Sequence, residues 1–80
     1  MEKIEVINRA LAINEDKRML REELALIWDR ALDWYEGGDI LEVGAYKGAT
    51  SFVLANIIEQ KGYTAKLWVE GAYGLAEIVK

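Results

Sequence analysis

The 80-residue chain contains no cysteine, no histidine and no proline. Without cysteine there is neither a disulfide framework nor thiolate chemistry. Without histidine it lacks the usual general base near neutral pH and the commonest metal ligand, so no metal site is expected. Any chemistry has to run on carboxylates, Lys, Tyr, Ser, Thr or a borrowed cofactor. No proline-rich linker, internal repeat or low-complexity stretch divides the chain. Long apolar runs are missing too. Glu, Lys, Arg or Asp interrupts them every few residues, and no segment reads as spanning a membrane. The opening Met-Glu-Lys-Ile-Glu-Val lacks the basic-then-apolar layout of a secretory signal, and a cytoplasmic location is the resulting expectation.

What is present fits one small globular domain, with 52% apolar and 30% charged residues. A chain of this size buries only about 60–65% of its unfolded surface, so an isolated domain has a thin margin of stability. The net charge is −4, and the ten Lys and Arg residues are dispersed rather than gathered on one face. Nucleic-acid binding driven by phosphate neutralisation is therefore not expected.

Hydrophobic spacing predicts two helices at the start. Ile4, Ile7 and Leu11 recur at helical intervals over residues 2–13. Asn14, followed by Glu15 and Asp16, reads as the N-cap and acidic first turn of a second helix. Its apolar seam runs Leu20, Leu24, Ile27, Ala31 and Trp34, widened by Trp28, Leu32 and Tyr35, and Gly37-Gly38 is its expected stop. Trp28, Trp34 and Tyr35 are expected in the core or an oligomer interface, and Asp29, Asp33 and Glu36 on a solvated face. Residues 39–43 read as a buried strand closed by Gly44, residues 49–61 as a helix stopped by Gly62, and residues 65–69 as a second strand ending in Glu70-Gly71. Tyr73 to Lys80 reads as the beginning of another helix. Two strands separated by one helix are expected to lie parallel.

The informative stretch is Ile40-Leu41-Glu42-Val43-Gly44-Ala45-Tyr46-Lys47-Gly48-Ala49-Thr50-Ser51, in which a strand runs through a glycine loop into a helix. Such a turn lets the backbone approach a ligand and aims free N–H groups at it. Ligands of open α/β sheets bind at the carboxyl ends of the strands, which places Glu70 beside the same crevice. There a carboxylate can accept two hydrogen bonds from a ribose diol.

The pattern Glu42-x-Gly44-x-x-x-Gly48-x-Thr50 resembles the first motif of class I S-adenosylmethionine-dependent methyltransferases, in the variant E-x-G-x-x-x-G-x-S/T. Glu70 resembles the acidic residue that ends the second strand in that family and holds the cofactor ribose. The resemblance covers residues 39–71. It implies a Rossmann-like α/β fold in which residues 1–36 form a helical N-terminal segment and residues 39–71 a β-α-β cofactor-binding unit with parallel strands in an incomplete sheet. It also implies S-adenosylmethionine, or its demethylated product, as the ligand. Glu42, Gly44, Ala45, Tyr46, Gly48, Thr50 and Glu70 would be the cofactor-binding positions. Gly44 and Gly48 would admit the methionine portion, and Glu42 would brace the loop or contact the amino group. Tyr46 and Lys47 either cover the ligand or stand exposed at the loop tip, and Thr50 and Ser51 either bond the cofactor carboxylate or cap the helix.

Competing motifs fit less well. A dinucleotide fingerprint needs G-x-G-x-x-G, which Ala45-Tyr46 breaks, and a Walker loop needs Gly-Lys-Ser/Thr, whereas Lys47 precedes Gly48. The later strands of a complete methyltransferase domain, which carry adenine contacts and the substrate site, have no counterpart in these residues. The expectation is therefore a truncated or minimal domain, catalytically incomplete on its own. The alternative is a self-associating structural module that keeps a Rossmann half. Unpaired sheet edges and a thin core make a homo-oligomer the expectation under both readings.

Overall fold

The computed structural model describes residues 1–14, 19–43, 48–71 and 74–79, with the side chains beyond Glu70 left aside. The elements are α1 (Lys3–Ile13), α2 (Arg21–Trp34), β1 (Ile40–Val43), α3 (Ala49–Gln60), β2 (Lys66–Gly71) and β3 (Gly74–Val79). The sheet order is β1-β2-β3. β1 and β2 are parallel, in the register Ile40↔Leu67 through Val43↔Glu70. The expected small α/β architecture with two parallel strands flanking a helix is present.

α3 is the hub. Its sequence is apolar almost all round, the mark of a helix buried on more than one side. Val53 and Ile57 pack with Val6, Ile7 and Ala10 of α1 and with Leu24 and Trp28 of α2. Ala55 and Ile58 pack instead with Ala65 and Leu67 at the sheet. α3 thus lies between the α1–α2 pair and the sheet, and its amino end meets the carboxyl end of β1.

Several sequence expectations are corrected in detail. Asn14 does not start the second helix; it closes the first as its C-cap. Its side-chain amide donates to the Met19 carbonyl at 2.5 Å and its side-chain oxygen accepts the Met19 N–H at 3.4 Å, so it serves the connection between the helices. Glu15 and Asp16 lie outside the described residues. α2 begins at Arg21, where the Glu23 carboxylate reaches back to accept the Leu20 N–H at 2.9 Å. Its packed seam is Leu24-Trp28 flanked by Ile27, Ala31 and Tyr35. Trp34, one heptad beyond the edge residue Ile27, falls where nothing packs and is 73% exposed. The same rotation leaves Ile4 exposed on α1, where Val6, Ile7 and Ala10 are buried.

Gly37 and Gly38 do not form the helix stop. α2 ends at Trp34 with Tyr35 extended, and the two glycines, at φ 103° and 99°, turn the chain toward β1. The orphan carbonyls of α2 are met from outside: the Lys61 ammonium, just past α3, donates to the Leu32 carbonyl at 2.7 Å and to the Tyr35 carbonyl. Tyr35 donates to the Gly38 carbonyl at 2.7 Å and meets Tyr63 edge-on at 5.4 Å.

The largest correction concerns the end of the chain. Residues 74–79 are not a helix but β3, antiparallel to β2 in the register Gly71↔Gly74 through Lys66↔Val79. Leu75, Ala76 and Glu77 are helix formers by propensity, but glycines at both ends of the two-residue link favour a hairpin, and an open strand edge supplies hydrogen-bond partners that an isolated helical turn cannot match.

Candidate functional site

β1 and β2 end side by side. Val43 and Glu70 are register partners, so the parallel pair presents both carboxyl ends on one edge, and the chain leaves β1 there for α3. Glu70 stands one pair from the start of the glycine loop. It does not close its strand: β2 continues to Gly71 and turns back into β3, so Glu70 also pairs with Leu75.

Alternation along the strands assigns the two acids to opposite faces. Glu42 shares its face with Ile40, Leu67 and Val69, the face against α3, whereas Glu70 shares the other with Leu41, Val43 and Trp68. Both lie within two residues of the carboxyl edge and flank it from either side. Glu70 is exposed and Glu42 half-buried.

Burial pushes the Glu42 carboxyl above its ordinary value, and a hydrogen bond from Ser51 partly opposes the rise. The Ser51 hydroxyl, itself buried, donates to Glu42 Oε1 at 2.5 Å. A carboxylate among apolar strand residues needs such a partner, and α3 supplies it from its first turn. Of the two roles expected for Ser51, capping the helix is not the one it plays, since its hydroxyl is engaged by Glu42.

The N-cap of α3 is Gly48, left-handed at φ 92°. A Cβ added there would meet nothing within 4 Å, so the demand for glycine is one of backbone conformation rather than space. No side chain caps this helix end, and its first turn holds no acid. Among the described residues the first N–H groups of α3, next to the carboxyl end of β1, therefore have no side-chain cap, beside half-buried Thr50. Gly44, Ala45, Tyr46 and Lys47 lie outside the described residues.

The structure thus brings Glu42, Gly48, Thr50 and Glu70 to one edge of the molecule, and adds Ser51, whose link to Glu42 no spacing rule marks. Among the described residues no group of three His, Cys, Asp or Glu side chains could hold a metal ion, and no helix is long and apolar enough to cross a membrane. Two surface hollows lie elsewhere: one of about 550 Å³ along Leu26, Arg30, Ala31 and Trp34, and one of about 270 Å³ between α1 and α2 at Ile4, Ile7 and Ala25. No protein-family model, curated protein or solved structure matches the chain.

Proposed function

We propose that the edge formed by the ends of β1 and β2 binds S-adenosylmethionine or its demethylated product, with residues 40–71 acting as half of a Rossmann-like nucleotide site. The observation that carries this reading is the level pairing of Val43 with Glu70 beside the amino end of α3. It supports the reading because an exposed carboxylate and the first N–H groups of α3 stand at the same carboxyl edge of the sheet, where ligands of open α/β sheets bind. The donor set suits the ligand. An exposed carboxylate accepts from a diol, and uncapped amides with no acid among them donate to a carboxylate.

Glu70 would hold the ribose, Gly48 and the loop residues Gly44, Ala45 and Tyr46 would line the methionine portion, and Thr50 would bond its carboxylate. When bound, the cofactor supplies an activated methyl group on a sulfonium. The residues of this chain bind and orient it, which is most of what an in-line methyl displacement asks of a protein. No methyl-acceptor site accompanies them among the described residues, so we assign binding rather than turnover to this chain. The test is calorimetric titration with S-adenosylhomocysteine, repeated on Glu70→Ala. Saturable heat that falls at least tenfold in affinity in the variant is expected. No heat at millimolar ligand removes the reading.

A second reading has its own support. The sheet face away from α3 carries exposed Leu41 and Val43 beside Trp68, and sheets with parallel strands are normally covered on both faces. Lys66 and Glu70 flank Trp68 on that face, so a second copy laid across it with its strands reversed would set Lys66 against Glu70. Light scattering across a dilution series tests self-association; Leu41→Glu should abolish it, and a monomer at all concentrations ends this reading.

A further inference from the structure

We propose that Glu42 is a positioning residue, which takes the Ser51 hydroxyl and so fixes the amino end of α3 against the carboxyl end of β1. Where this concerns a ligand it rests on the cofactor reading above; as a statement about the turn it stands alone.

The two residues bracket the glycine loop. Glu42 is the penultimate residue of β1 and Ser51 the third of α3, so one hydrogen bond joins the strand before the loop to the helix after it. Between β1 and α3 it is the side-chain bond that ties the two together among the described residues. The neighbouring ties serve other purposes: Asp39 accepts the Lys66 N–H at 3.0 Å and locks the opposite ends of β1 and β2, and Lys61 secures the far end of α3 to α2. The packing of α3 on the sheet runs through Ala55 and Ile58, one and two turns further along the helix. The first turn of α3 has no comparable apolar anchor toward β1, and Gly48 leaves its cap without a side-chain bond. The bond from Ser51 to Glu42 occupies that gap.

A neutral pair would serve less well. A carboxylate acceptor roughly doubles the strength of a hydroxyl hydrogen bond. No other charge competes for Glu42 on the elements packed against its face. α3 carries a single charged residue, Glu59, exposed at its far end, and the register neighbour on β2 is Val69. The carboxylate is held half-buried by one hydroxyl, which explains why the burial effect on its titration outweighs the opposing bond.

The consequence is mechanical. The separation between the end of β1 and the first N–H groups of α3 sets the width of the candidate site, and this bond sets that separation. Ser51→Ala keeps the small buried side chain but deletes the donor, and Glu42→Gln keeps an acceptor oxygen of the same reach but deletes the charge. The experiment follows the Glu42 side-chain carboxyl by carbon-detected NMR titration in the wild type and Ser51→Ala, and the amide exchange of residues 51–54 in the wild type and both variants, with and without S-adenosylhomocysteine. Ser51→Ala should raise the Glu42 midpoint further and speed exchange in the first turn of α3 by about fivefold, the share of one hydrogen bond. Glu42→Gln should stay within about twofold of the wild type. Affinity for the ligand should follow the same order. If Ser51→Ala leaves both the Glu42 midpoint and the exchange unchanged, the proposal is overturned. If the wild type binds no ligand while midpoint and exchange respond, the cofactor reading falls and the positioning role is upheld.

Discussion

The two sides of α3 make the most instructive contrast in this molecule. On one side, α1 and α2 close over it with Val6, Leu24, Val53 and Ile57 all fully buried. On the other, among the described residues, the sheet is covered on a single face. Leu67 is fully buried against α3, while Leu41 and Val43 on the opposite face are 63% and 71% exposed. The helical side is a finished core that consumes its apolar residues. The sheet side is a half-core with one face open and two carboxylates near its carboxyl edge, Glu70 exposed and Glu42 half-buried. The packed core and the proposed binding edge therefore lie in different halves, an arrangement common where binding residues sit at element ends on a rigid scaffold.

The strongest way to break that contrast is to truncate one apolar side chain on each side. Ile57→Ala removes three carbons from a fully buried site and is expected to cost about 2–5 kcal/mol. That is a large part of the roughly 4–12 kcal/mol available to a domain of this length. Leu41→Ala, on the bare face, should change stability by no more than about 0.5 kcal/mol. Urea unfolding followed by circular dichroism measures both. A Leu41 variant that loses as much as the Ile57 variant, in a concentration-dependent manner, would mean that a second copy covers the sheet.

The turn that joins the halves sharpens the comparison at a lower level. Gly37→Ala places a side chain at φ 103° and a Cβ 3.0 Å from the Tyr63 ring, in the edge-on pair with Tyr35. Gly38→Ala meets the same backbone demand, at φ 99°, with open space around it. Each should cost about 1–3 kcal/mol for the backbone alone, with Gly37 the worse of the two. Equal losses in thermal unfolding would show that the tyrosine pair yields freely. Next comes Lys61→Met, which retains the stem but withdraws the ammonium from the Leu32 and Tyr35 carbonyls. A loss of about 1 kcal/mol is expected, together with faster amide exchange confined to the last turn of α2.

How much of this was legible in the sequence follows the same division. Where one face decided the pattern, the residues announced it: the glycine-bounded strand at residues 40–43, the helix from Ala49 and the parallel strand through Leu67 are all present within a residue or two. Failures occurred where a residue has two uses of similar energy. Asn14 followed by two acids suits a helix start, but Asn also binds backbone groups across a connection, and the partner at Met19 was not visible in a local reading. Residues 74–79 carry helix propensity, and only the open edge of β2 makes a strand the better choice. Trp34 continues a helical interval that suits the core or an oligomer interface, and it lies outside the core of this chain because an interval does not say how wide the covering layer is. At the candidate site, the positions of Glu42, Gly48, Thr50 and Glu70 at one edge follow from strand-loop-helix order alone. The opposite faces of the two acids follow from register, and the role of Ser51 from a contact nine residues away in sequence.

The smallest expected effect is one of pH, and it separates the two halves without truncating anything. Glu42 titrates higher in the folded chain than in the unfolded one, because burial disfavours its charge more than Ser51 supports it. The folded state therefore holds this proton more tightly. Its contribution to stability is fully present below the unfolded carboxyl value and is lost as pH rises through the raised folded value. The sign is opposite to that of a salt-bridged carboxylate. Acidification through this window should stabilise the sheet side, and Glu42→Gln should remove that part of the pH dependence and be slightly more stable than the wild type at neutral pH. The helical side offers the control. Asp29 pairs with Lys3 at 2.7 Å across α1 and α2, with both side chains about half exposed, and Asp29→Asn should shift stability little at any pH. Urea midpoints measured on the three chains through the acid range decide it. A wild-type midpoint that falls on acidification as steeply as that of Glu42→Gln would show that the Glu42 carboxyl titrates alike in the folded and unfolded chains, and one that falls more steeply would show that the open half of the molecule holds the charged form more firmly than one hydroxyl allows.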